Sequence, residues 1–187
     1  MPRTIILTGD ADLTALATDG RWRLVDVTTA GHVDYAQTAW ETPTGAIVRR
    51  VDHHTGGVPL ITVHAGSELD TLTDHIRSAV DTIDVEDLLT TLTAPETEPV
   101  ELIRALRRLQ LAHHHDRDDP APLDPRYLEL TTTLVAHPER AVRLTMMLVA
   151  DDLATIWPEL TAPILARHGV EEELAHIIEA FRAVAED

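Results

Sequence analysis

The side chains best suited to chemistry stand together at His113-His114-His115-Asp116-Arg117-Asp118-Asp119. Imidazole and carboxylate are ligands that zinc and other divalent ions accept. In an extended segment His113 and His115 would approach one ion, with Asp116 and Asp118 as further ligands, the donor set of a metal-dependent hydrolase. The setting argues the other way. Pro120 and Pro122 follow at once, so the tract reads as a loop, and metal ligands need a rigid scaffold and a second shell. The competing reading is a solvated helix end, where histidine suits the negative end of the helix dipole. Asp52-His53-His54 is a second cluster, in a hairpin turn, with His64 and His75 farther along. Ser67 and Ser78 are the only serines and no nucleophile motif surrounds either. Thr8-Gly9-Asp10 is too short for a phosphate loop. The absence of cysteine excludes thiol catalysis, disulfides and thiolate metal sites. Asp118-Asp119, Asp151-Asp152 and Glu171-Glu172-Glu173 read as solvated helix ends. No cofactor is expected.

The elements that would position these residues fall into two parts, 1–82 and 83–187. In the first, Thr4–Leu7 and Trp22–Val27 read as strands, with a short helical stretch at Asp12–Thr18. Tyr35–Glu41 and Gly45–Val51 flank the turn signal Thr42-Pro43-Thr44. Gly56-Gly57 supplies the positive φ angles for a second hairpin into Val58–His64. Ser67, with Asp70 three residues on, is placed to cap a helix running to about Val80. This part is expected to be a small, mainly antiparallel sheet with one covering helix.

From Asp84 the apolar period becomes helical: Val85, Leu88, Leu89 and Leu92, then Val100, Ile103, Leu106 and Leu109. Asp124-Pro125 is a helix start, and the nearly all-apolar run Ala141–Val149 should be the most buried helix. The half also repeats. A shift of 42 places Leu88, Leu92 and Ala94 on Leu130, Leu134 and Ala136, and Val100, Leu102 and Leu106 on Val142, Leu144 and Leu148. A fainter copy lies a further 30 along, so His113–Asp124 reads as an insertion. Repeats of two-helix size stack into solenoids, because each pair must bury its apolar face on the next.

Leu134-Val135-Ala136-His137-Pro138-Glu139-Arg140-Ala141-Val142-Arg143 resembles the turn of a HEAT-type repeat, with His137 where aspartate is usual. The resemblance covers about residues 84–185 and implies a short α-solenoid of about three helix pairs. It implies that Pro138 starts the second helix, Val142 packs between helices and Arg143 bonds a neighbouring unit. Leu92 and Val100 take the matching places in the first copy, and Pro158 kinks the helix that opens the third. Glu101 stands where Arg143 is matched, and the third copy has no Val-Arg pair. The fold class expected is therefore α+β: a small sheet domain, then a HEAT-like helical domain.

Hydrophobic residues make up 44% and aromatics 3%, so the core must be mostly aliphatic. The net charge of −17 repels nucleic acid and anionic membranes and suits a basic protein partner. No apolar run is long enough to span a bilayer, and a cytoplasmic location is expected. The expected function is a non-catalytic protein-protein interaction module with an acidic surface, of the immunity, antitoxin or regulatory kind. The alternative is the metal-dependent hydrolase; oligomeric state stays open.

Overall fold

The computed structural model describes residues 3–9, 11–29, 35–53, 58–64, 68–113, 121–167 and positions 175, 176 and 179. The fold is α+β. The chain divides into two compact units, Met1–Asp87 and Leu88–Asp187.

The first unit holds β1 (Arg3–Leu7), α1 (Thr14–Asp19), β2 (Arg23–Thr28), β3 (Tyr35–Glu41), β4 (Ile47–His53), β5 (Val58–His64), α2 (Leu69–Ala79) and β6 (Thr82–Ile83). The strands form one antiparallel sheet in the order β2-β3-β4-β5-β1-β6. The boundary expected after residue 82 cuts through β6, because Leu7 pairs with Thr82 and Ile6 with Ile83. Alternation decides the faces. Ile5 and Leu7 of β1, Val48 of β4 and Ile61 and Val63 of β5 cluster with Leu13 and Ile76, from beside α1 and within α2. The opposite face buries Ile6, Ala39, Leu60 and Thr62. The β3–β4 turn closes with Gly45 at φ +80°, a left-handed conformation that favours glycine. Thr42 Oγ1 accepts the Ala46 N–H at 3.0 Å beneath it. The expected cap Ser67 lies outside the described residues. Asp70 takes Arg3 at 2.9 Å instead.

The helices that follow are α3 (Val85–Thr93), α4 (Pro99–Ala112), α5 (Pro125–Leu134), α6 (Arg140–Ala154), a 3-10 turn at Pro158–Leu160 and α7 (Thr161–Leu165). Asp124 caps α5 as its sequence implies, accepting the Arg126 N–H at 3.0 Å with Pro125 in the first turn. Helix α6 buries Val142, Thr145, Met146, Met147, Val149, Ala150 and Leu153. It packs against α4, α5, the 3-10 turn and α7. Pro158 opens the 3-10 turn.

The two helix pairs do not repeat as rigid copies. The buried residues of α3 (Leu88, Leu89, Leu92) fall, 42 positions on, upon Leu130, Thr131 and Leu134, all buried on α5. The buried residues of α4 (Leu102, Ala105, Leu106, Leu109) fall upon Leu144, Met147, Leu148 and Asp151, of which only Met147 is buried. Moved 44 positions they fall upon Met146, Val149, Ala150 and Leu153, all buried. Two residues turn a helix by about 200°, so in the 42-residue register α4 and α6 turn opposite faces inward.

Candidate functional site

Of the repeat positions, Leu92, Leu134 and Val142 are buried and Val100 is exposed. Val100 is 58% exposed, whereas Val142 is 0%. The cause is the rotation just described: Val142 faces the layer around α6, while Val100 sits in the first turn of α4 on the side away from Leu102 and Leu106. Pro138 does not start α6; it lies in the turn ahead of Glu139, which precedes the first helical residue Arg140. Arg143 bonds the turn that precedes its own helix. Its Nη1 donates to the carbonyls of His137 at 2.9 Å and Pro138 at 2.8 Å, closing the turn into its own helix. His137 completes that turn by accepting the Glu139 N–H on Nδ1 at 3.1 Å, the work an aspartate does at helix starts.

Of the metal candidates, His115, Asp116 and Asp118 lie outside the described residues. His113 is described, and its setting is that of a structural clasp. Its Nε2 shares a hydrogen bond of 2.6 Å with the Tyr127 hydroxyl. Its ring meets those of Tyr127 and Trp157 edge-on, with centroids at 5.5 and 5.0 Å. Trp157 Nε1 donates to the Ala121 carbonyl at 2.9 Å. Residues on either side of 114–120 are thus fastened to one aromatic cluster, which explains why a chain with so few aromatics buries Tyr127 and Trp157 here. Among the described residues no group of three or more His, Asp or Glu side chains is placed to hold a metal ion. In the other cluster Asp52 accepts from Arg50 Nε at 3.1 Å, and His54 lies outside the described residues. At the start of α5, Asp124 accepts from the Arg126 guanidinium at 2.6 and 2.8 Å. That bond, with the Arg126 backbone N–H, holds the Asp124 carboxyl below the ordinary aspartate value of 3.8.

Among the described residues, two surfaces offer contacts to another molecule. One is the sheet edge at β2. Its Leu24 (55% exposed), Val25 and Val27 (54%) are three of the five large hydrophobic residues exposed among the described residues. Leu24 ends a row that runs through Trp40, Val48 and Val63 into the helix-covered core. A bulge at Val25 interrupts the ladder between Leu24 and Asp26. The alternation of Trp22–Val27 foretells the strand, but strand order decides that it is an edge, and order is not local information.

The other surface is a pocket of about 430 Å³ in the helical unit. Leu92, Leu102, Leu130 and Leu134 form its buried floor. Pro95 and Thr97 of the α3–α4 turn form one wall, and Arg126, Glu129 and Thr133 of α5 the other. Their spacing of three and four residues is the helical face that looks across at the end of α3. Glu96 and Glu98 alternate with the wall residues of the turn, and Glu139 stands two residues from His137, which also lines the pocket. Among the described residues no helix is long and apolar enough to cross a membrane. No protein-family model, no curated protein and no solved structure matches this chain.

Proposed function

We propose that this protein is a non-catalytic binding module that engages a basic protein partner, in the manner of an immunity or antitoxin protein. The observation that carries the reading is the β2 edge. Among the described residues, the six-residue strand β2 ends the sheet with no strand beyond it, and Leu24, Val25 and Val27 are exposed there. An open edge accepts a strand from another chain, with main-chain bonds giving affinity and side chains giving choice. The net charge of −17 selects for a cationic partner and speeds the encounter. We read the helical unit as an irregular HEAT-like stack, supported by the matched faces of α3 and α5 and by the packing of α6 on α4.

The test is an affinity capture from the native host with the wild-type chain and with Leu24→Lys/Val27→Lys, metal being assayed on the same sample. One stoichiometric basic protein, lost with the double variant, supports the reading. Absence of any partner together with stoichiometric transition metal would transfer the assignment to a hydrolase built on His113, His115, Asp116 and Asp118.

A further inference from the structure

The pocket of the helical unit combines two properties that together specify a ligand. Its floor is four buried leucines, so it rewards an apolar group that leaves water. Its surroundings are anionic. Glu129 is exposed on the α5 wall, Glu96 and Glu98 are exposed on the α3–α4 turn, and Glu139 is exposed beyond His137. Among the described lining residues the guanidinium is that of Arg126, which is engaged by Asp124. With Glu129 in the lining and the exposed Glu96 and Glu98 beside the lining residues Pro95 and Thr97, the apolar hole is complementary to an apolar side chain flanked by cations.

The walls decide the backbone of the ligand. The floor and the α5 wall belong to helices whose peptide groups bond along their own axes, so those surfaces offer no ladder to an extended strand. A ligand that satisfies its own peptide groups, a helix, loses nothing on docking there. A volume of about 430 Å³ lies in the range of sites that bury whole small ligands, and so has room for an anchor of aromatic or leucine size.

We propose that this pocket receives the apolar anchor of a lysine- or arginine-rich amphipathic helix on a partner protein, with Glu96, Glu98 and Glu129 meeting the flanking cations. The proposal rests on the reading of the chain as a protein-binding module and adds a site separate from β2. The probe is a synthetic Leu/Lys amphipathic helix, titrated calorimetrically into the full chain beside an Ala/Lys helix of equal charge. Thr133→Trp fills the pocket from an exposed wall position. Thr132→Trp places the same bulk on an exposed neighbour that does not line it. Circular dichroism checks that both variants keep their helicity. The expected result is binding of the Leu/Lys helix, weakened by about tenfold or more in Thr133→Trp and unchanged in Thr132→Trp. Glu96→Lys/Glu98→Lys/Glu129→Lys should weaken it by a similar factor. Equal binding of the Ala/Lys helix would overturn the proposal, since attraction would then be electrostatic alone. Binding that survives Thr133→Trp but is lost in Leu24→Lys/Val27→Lys would overturn the pocket and leave the binding-module reading standing. Failure to bind the Leu/Lys helix at all would also overturn the pocket, and the host capture decides the wider reading by itself.

Discussion

Four alanine substitutions test whether the two helix pairs are copies or have turned. Val100 and Val142 are matched by the 42-residue shift, as are Leu106 and Leu148. Rigid repetition would make the members of each pair equally costly to truncate. The structure crosses them: Val142 and Leu106 are 0% exposed, while Val100 is 58% and Leu148 41% exposed. Val142→Ala deletes two buried carbons, about 1.6 kcal/mol at ~0.8 per carbon. A cavity remainder raises the expected cost to about 2–3 kcal/mol. Leu106→Ala deletes three and should cost about 2–5 kcal/mol. Val100→Ala and Leu148→Ala lie at the surface, and each should stay within about 0.5–1 kcal/mol. Urea denaturation followed by far-ultraviolet circular dichroism reads all four, with the m-value checked to be constant so that midpoints report stability. Equal losses at Val100 and Val142, or at Leu106 and Leu148, would refute the rotated faces of α4 and α6 and restore the rigid repeat.

Arg143→Ala removes the bonds that close the α5–α6 turn on the His137 and Pro138 carbonyls. It should lower stability by about 1–3 kcal/mol, and an unchanged melting temperature would show the latch to be idle. Tyr127→Phe deletes the hydroxyl that holds His113 Nε2 while keeping the ring contacts. A loss of about 1 kcal/mol is expected; a Tyr127→Phe variant as stable as the wild type would show that the clasp is packing alone. The Asp124 carboxyl lies below its ordinary value in the fold because of Arg126. Its contribution is therefore full above the unfolded value near 3.8 and is lost as pH falls through the lowered folded value. Asp124→Asn, which carries no charge to titrate, should be less stable than wild type at neutral pH, and the gap should narrow only below about pH 4. A gap that stays constant in acid would refute the Arg126 attribution.

How far the sequence carries depends on whether a feature is written locally. The strands of the first unit are legible because alternation and turn chemistry agree: Thr42-Pro43-Thr44 with Gly45 marks the β3–β4 turn, and it forms there. The start of α5 is legible because Asp124-Pro125 is both a cap and a pre-set first turn. The inner face of α6 is not. Its run Ala141–Val149 is apolar nearly all round, so periodicity names no face, and matching residue types aligned it to α4 in a register that packing does not use. Valine at 100 and valine at 142 are chemically one residue; what separates them is that Val142 lies on the buried face of its helix and Val100 does not. The His113 clasp follows the same logic at longer range. Beside His115 and Asp116 in the sequence, His113 resembles a metal ligand, because the residues that claim its ring, Tyr127 and Trp157, lie 14 and 44 positions away. The two candidate binding surfaces are the least legible of all. An edge is a property of strand order, and a pocket is the place where α5 and the end of α3 fail to fill the space between them. Each exists only once the whole unit has packed, so neither leaves a motif, and both must be tested by substitution at the surface they define.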